Sequence, residues 1–325
     1  MATMAGPERS GSHRFACSRF SRMFLDRVHF RAGIPLQPLM NLGVQDVLYS
    51  PDFTVPHVRG AMHAATIHDL AWEVAPDFTP PGLKRFLSSV VPNQIARADA
   101  IFTVSETSRR DIIDRYGVTA DKIVVATNGV SEEFFADELD EADEAIPDLP
   151  VGYLLMVGTI EPRKNHLGVL RAIELIPDAP LLVIVGNPGW AHSEILHEVR
   201  CAEVDGKVKA LGFVPDTQLR SLYARASAVI CASWYEGFDL PLLEAFATGA
   251  SVAASDIPVH REIAGDMVHY FDPGDVDSIA DGIIQAIHCQ SGRTIRQNRA
   301  GAFTWDASAR IVGNTIQRLA GRQPW

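Results

Sequence analysis

Short apolar runs punctuated by glycine, with helix-periodic stretches between them, set the rhythm of this chain. Tyr153–Val157 ends at Gly158, Leu181–Val185 ends at Gly186, and Val208–Leu211 stops at Gly212. Ala228–Cys231, Ser251–Ala254 and Met267–Phe271 continue the series. Leu167, Leu170 and Ile173, after the first of these runs, recur at helical spacing. Unbroken apolar runs of strand length that alternate with amphipathic helices predict a parallel sheet covered on both faces.

The first half repeats the pattern less completely. Asp46–Tyr49, Ala64–Ile67, Ala100–Val104 and Ile123–Val125 read as strands. Ser105 is placed to cap a helix through Arg115, with Thr107 and Ser108 as rival caps. Between the halves lies DELDEADEAIPDLP, Asp137–Pro150, whose acids and prolines read as an exposed linker. The pattern therefore predicts an α/β protein in three parts. Residues 1–147 form a first α/β domain with the fewer strands, 148–305 a second, and 306–325 a C-terminal helix. Open parallel sheets bind ligands beyond the carboxyl ends of their strands. Gly158, Gly186, Gly212 and the segment at Glu236 lie at such ends in the second domain, and His68 and Ser105 in the first.

Composition narrows the partners. A chain of 325 residues, 47% hydrophobic and 21% charged, is long enough for two globular cores. A formal net charge of −11 argues against general nucleic-acid binding, so an anionic ligand would need a local basic patch. Cys17, Cys201, Cys231 and Cys289 are far apart in sequence and read as reduced thiols of a cytoplasmic protein. No apolar run reaches the ~18 residues of a membrane span. Residues 1–31 carry six arginines against Glu8 and Asp26. Three readings stand for them: a transit signal, a disordered start before a surface helix, or a basic face for peripheral contact with anionic lipid.

Two segments carry candidate chemistry. In SWYEGFDLPLLEAFATG, Ser233–Gly249, Glu236 precedes a helix start at which Pro241 suits the first turn, and Glu244 lies one turn inside. Free N–H groups near Gly237, Phe238 and Asp239 would face an anion there. In GTIEPRKNH, Gly158–His166, a strand ends, a helix is expected to open at Pro162, and Arg163 and Lys164 sit at its start. Cations are unfavourable at a helix N-terminus, so a compensating anion such as a diphosphate is expected; the plainer reading is a solvated surface pair beside Glu161. His68 reads either as a satisfied structural histidine or as a donor or acceptor at a reacting sugar, with Asp69 orienting its ring. Asp275 and Asp277 fit helix capping better than metal binding. The chain contains no HExxH, zinc spacing, Walker loop or GxGxxG.

These residues resemble a known family. IHDLAW (Ile67–Trp72), FTVSETSRRDI (Phe102–Ile112), GTIEPRKNH and EGFDLPLLE (Glu236–Glu244) are similar, in order, to landmarks of the retaining glycosyltransferases of family 4. TNGV, GNPGW and AFTWDASA add smaller echoes. The resemblance implies two Rossmann-like domains facing across a cleft, the GT-B fold, with the first (1–147) incomplete and the C-terminal helix (306–325) returning to it. It implies a GDP- or UDP-linked sugar as substrate, no metal or other cofactor, and a glycan or lipid-linked acceptor. Arg163 and Lys164 match the diphosphate contacts, Glu236 the acid at the sugar hydroxyls, Glu244 the acid near the ribose, and His68 a first-domain histidine at the reacting centre. Gly158, Thr159, Gly237, Phe238, Asp239 and Leu240 would line the donor, and Gly212, Phe213 and Val214 its base.

Two departures stand out. Asp239 occupies a position where the family often has glycine, and its carboxylate is expected to turn away and cap the helix. The family's opening strand and glycine-rich loop have no counterpart, so about four strands are expected in the first sheet. The expected function is transfer of a hexose, mannose or glucose, with retention, in polysaccharide assembly on the cytoplasmic side of a membrane. Rival readings are a donor-binding partner subunit that lacks turnover and a nucleotide-sugar epimerase. All depend on the Arg163–Lys164 turn lying well within ~15 Å of Glu236.

Overall fold

Ten strands form two separate parallel sheets in the computed structural model of the chain, which describes residues 45–55, 58–135, 149–190, 193–289 and 291–322. The arginine-rich start, Cys17 and nearly all of the acidic linker lie outside those residues. Each strand read from the apolar runs is present within two residues of its expected ends.

The first sheet has four strands in the order β1 (Val47–Ser50), β2 (Met62–Thr66), β3 (Ala100–Thr103), β4 (Ile123–Val125). The second has six. Three of them, β5 (Leu154–Val157), β6 (Leu182–Val185) and β7 (Val208–Gly212), run outward in one direction. The others, β8 (Ala228–Cys231), β9 (Val252–Ser255) and β10 (His269–Phe271), run outward in the other. The order reverses between β5 and β8, which pair directly at Leu154–Ala228 and Leu155–Val229. Such a reversal opens a crevice at the carboxyl ends of the two central strands.

The reason for the apolar runs is visible in the burial. Leu182–Val185, Ala228–Cys231 and Val252–Ser255 are buried at every position, because helices cover both faces of the second sheet. Helix α3 (Glu106–Tyr116) begins at Ser105, whose hydroxyl accepts from Ser108 N, so Ser105 is the cap. Asp275 likewise caps the helix Val276–His288 by accepting from the N–H groups of Asp277 and Ser278. One expectation is corrected. The helix after β5 does not open at Pro162. Pro162–Lys164 form a single 3-10 turn, Asn165 adopts a left-handed conformation at φ 58°, and the α-helix starts at His166.

The helix Trp305–Leu319 follows the second sheet in sequence yet packs on the first. Val312, Ile316 and Leu319 lie against the cluster around Phe102 and Ala126, and Arg322 pairs with Asp46 at 2.7 Å. Among the described residues, no helix is long and apolar enough to cross a membrane.

Side chains also join the two sheets directly. Glu262, from the helix Pro258–Ala264, accepts from Glu106 N at 2.7 Å and from Thr107 N at 2.8 Å. A carboxylate from one domain thus satisfies free N–H groups at a helix start in the other, where the helix dipole also favours it. Ser105 donates to Gly237 O at 2.7 Å, and Tyr235 donates to Asp111 Oδ2 at 2.9 Å. Loss of the trans-domain cap in Glu262→Ala is expected to cost about 1 kcal/mol and to lower the melting midpoint by ~2–4 °C. An unchanged midpoint in scanning calorimetry would mean that the contact contributes nothing to holding the domains together.

Candidate active site

The reversal between β5 and β8 places two loops side by side. The chain leaving β5 turns at Gly158 into the Arg163–Lys164 turn, and the chain leaving β8 runs through Ser233 to Glu236. Their side chains meet in a buried ionic cluster. Lys164 Nζ lies 2.7 Å from Glu236 Oε1 and 3.2 Å from Asp239 Oδ1. Arg163 Nη1 lies 2.5 Å from Glu236 Oε2 and donates to Tyr235 O at 2.9 Å, while Nη2 lies 2.7 Å from Glu161 Oε1. Ser233 Oγ donates to Glu236 Oε1 at 2.8 Å. Gly158, at φ 139°, is needed here, because a Cβ would come within 3.0 Å of Lys164 Cε.

Burial works against every charge in the cluster, and the pairing overrides it. For Glu236, burial would raise the pKa, but Lys164 and Arg163 hold the carboxyl below its usual range. Asp239 is lowered likewise, with Lys164 the main counterweight to burial. Lys164 is held above its usual range because Asp239 and Glu236 outweigh its own desolvation. All three are therefore charged at neutral pH. Charges buried in pairs are costly to break singly.

Beside this cluster, His68, Asp69, Val104 and Asn128 of the first domain face Lys164 and Glu236–Pro241 of the second across a cleft of about 280 Å³. The helix α7 (Leu240–Thr248) points its N-terminus into it. The N–H groups of Gly237, Phe238, Asp239 and Leu240 donate to no acceptor among the described residues. Gly237 packs directly on the first domain: a Cβ there would meet His68 O at 2.6 Å and Asp69 Cβ at 2.8 Å.

The sequence reading is corrected at three points. Asp69 does not orient His68; it accepts from Ala71 N at 2.8 Å, and His68 Nε2 pairs with Pro51 O at 2.9 Å. Asp239 precedes helix α7 but makes no capping bond, and its carboxylate goes to Lys164 and to His260. The two cations are also not left awaiting an external anion, since Glu161, Glu236 and Asp239 already face them. Only Lys164 of the pair lines the cleft, Arg163 being bound up with Glu161, Glu236 and Tyr235 O.

The remaining expected residues lie along the strand ends. Gly158, Thr159 and Gly212 stand at the ends of β5 and β7, Phe213 is exposed, and Val214 is buried in the core of the second domain. None of these lines the cleft. Glu244, inside α7, accepts from Tyr223 OH at 2.8 Å. Sequence reasoning pairs Glu161 with the two cations only as a surface group, and it misses the contacts of Ser233, Tyr223 and His260. His260 is the least legible of them, because it reaches Asp239 from a helix that follows the neighbouring strand β9.

Comparison with known proteins gives the family and the fold. Residues 141–302 match the family model "Glycosyl transferases group 1", and residues 46–134 match "Glycosyltransferase Family 4". The O-antigen chain mannosyltransferase B of Escherichia coli is 32% identical over 271 residues, covering 80% of this chain and 71% of that protein. The O-antigen chain mannosyltransferase RfbU of Salmonella typhimurium is 28% identical, covering 87% and 76%. Among solved structures, sucrose-phosphate synthase from Thermosynechococcus elongatus superposes with a TM-score of 0.72 at 18% identity, covering 93% of this chain and 80% of that one. Anabaena HepE in complex with UDP and glucose gives 0.64 at 18% identity, covering 79% and 72%. At such identities these two likenesses concern the fold, which is GT-B.

Glu244 gives this site a signature in stability. Burial raises its pKa from 4.5 to about 7, against the lowering effect of the Tyr223 hydrogen bond. Stability that depends on the protonated carboxyl is fully present below about 4.5 and is lost as pH rises through about 7. Glu244→Gln lacks this loss. Between about pH 5 and pH 8 the melting midpoint of the variant is expected to gain on that of the wild type. A difference that stays constant across that range would contradict the assignment.

Proposed function

The chain belongs to the glycosyl transferases of group 1, and from that premise we propose that it moves mannose, with retention, from a nucleoside diphosphate sugar to a saccharide acceptor. That it is a glycosyltransferase using a nucleotide sugar follows from the family. Mannose as the sugar is supported by the printed activities of the O-antigen mannosyltransferases it resembles, and glucose is the competing choice. The single observation that carries the reading is the convergence of Lys164, Glu236 and the start of helix α7 at the crevice between β5 and β8.

In this reading the donor diphosphate lies against Lys164 and the N–H groups of Gly237–Leu240, with Arg163 behind, holding Glu236 in place. Bringing a diphosphate to Lys164 exchanges one anionic partner of the ammonium for another. Glu236 faces the sugar hydroxyls as an acceptor of hydrogen bonds and is not a nucleophile. The bond from the anomeric carbon to the phosphate oxygen breaks, and the acceptor oxygen bonds to the same face. The acceptor's proton passes to the leaving phosphate oxygen. His68 stands on the opposite wall, at the reacting centre. The fixed cations and the helix end take the place of a metal ion. Glu244 serves the ribose, and the strand-end residues Gly158, Thr159, Gly212 and Phe213 serve the outer parts of the donor, with Val214 packed in the core behind them. The acceptor is a growing glycan or a lipid-linked one, met at the cytoplasmic side of a membrane.

Incubation of the protein with GDP-mannose or UDP-glucose and a mannose-terminated oligosaccharide tests this reading. An α-linked mannosyl product by NMR is expected from GDP-mannose without added metal. A β-linked product, transfer from UDP-glucose only, or full dependence on a divalent cation would each overturn the corresponding element. Lys164→Ala is expected to lower kcat by roughly 10²-fold or more, the scale for losing one preorganised charge. A folded variant turning over at the wild-type rate would remove Lys164 from the mechanism.

A further inference from the structure

Asp239 sits in a conformation that suits glycine. Its φ is 83° and its ψ 74°, in the left-handed region, where an L side chain is strained. Its carboxylate is buried and makes no capping bond, so the strain is not repaid at the helix start. Instead, one oxygen faces Lys164 at 3.2 Å and the other faces His260 Nε2 at 3.0 Å.

His260 has no solvent exposure and plays no part in the mechanism above. It is the third residue of the helix Pro258–Ala264, which leaves β9 beside β8. Its Nδ1 lies 2.9 Å from Ser255 O. A carbonyl can only accept, so Nδ1 donates. Asp239 is an ionised acceptor beside Lys164, so Nε2 donates as well. A ring that donates from both nitrogens is an imidazolium.

The charges of the cluster make that proton consequential. Arg163 and Lys164 face three carboxylates, those of Glu161, Glu236 and Asp239. These five side chains carry one net negative charge, which the imidazolium cancels and which without it opposes a diphosphate; Asp69 also lies near Arg163, its carboxyl pushed toward the neutral form by burial. We propose that His260, set between two acceptors, carries a proton on each ring nitrogen and is a positioning residue for the donor: it offsets the charge of Asp239, so that Lys164 is available to the diphosphate and is not captured by a free carboxylate. The inference rests on the reading of the cleft as a nucleotide-sugar site.

The experiment is a charge cycle on the full chain, read by titration calorimetry with GDP-mannose and by steady-state kinetics. His260→Gln keeps a neutral donor near the Nε2 position and removes the charge. It is expected to weaken donor binding about tenfold, with KM rising and kcat changing less, the scale of one partly screened charge at this range. Asp239→Asn added to His260→Gln removes the carboxylate left unopposed, and is expected to restore affinity to within about threefold of wild type. A residue needed only for packing would not be rescued in this way.

Wild-type affinity in a folded His260→Gln variant, or no rescue by Asp239→Asn, would overturn the proposal. If His260→Gln does not fold, the answer comes from the Asp239→Asn background. There the same change at His260 is expected to be nearly silent, and a tenfold loss would show that His260 does not act through Asp239. Failure of the wild-type protein to bind GDP-mannose or UDP-glucose would instead strike the reading of the cleft itself.

Discussion

The structure turns on one buried ionic contact, the meeting of Lys164 with Glu236 and Asp239 at the crevice between β5 and β8. Each partner would be expensive alone in that setting, and each is held charged by the others. Secondary structure follows the same demand. The turn Pro162–Lys164 is 3-10 and Asn165 is left-handed, and together they swing the cations toward the loop after β8 before the α-helix begins. The position of Asp239 carries backbone strain for the same contact. Sites of this kind store strain where function requires a fixed geometry.

The loop that carries Glu236 is also the main bridge between the domains. Tyr235 reaches Asp111 and receives a hydrogen bond from Leu70 N, and Gly237 O accepts from Ser105. The residues that hold the cations therefore also hold the first domain against the second. The domain contact and the charged site thus share three consecutive residues, Tyr235–Gly237. Glu262 at the start of the helix Glu106–Tyr116 and the helix Trp305–Leu319, which lies on the first sheet after the chain has left the second, add further ties.

Much of this was legible in the sequence, for a physical reason. Strands buried on both faces must be apolar throughout, so runs such as Leu182–Val185 and Ala228–Cys231 announce themselves. Ser105 and Asp275 announce themselves as caps because few residues satisfy free N–H groups. The convergence of Arg163, Lys164 and Glu236 was also readable, since all follow the ends of strands in one sheet. The pairing pattern was not. Local sequence suggested a helix dipole beside cations awaiting an anion, whereas Glu161 in the same turn and Glu236 and Asp239 from the loop after β8 already answer them. Asp69 and Asp239 looked like local partners, for His68 and for a helix end, and each turned elsewhere. His260 carried no local signal at all, because its partner depends on strand order, which reverses only in the folded sheet.

The account stands or falls on where the diphosphate lies. A crystal structure of the protein with GDP or UDP bound measures this directly. The account predicts a β-phosphate oxygen within ~3 Å of Lys164 Nζ and facing the N–H groups of Gly237–Leu240. A well-ordered nucleotide with its phosphates more than ~6 Å from Lys164, or held by other residues, would contradict it.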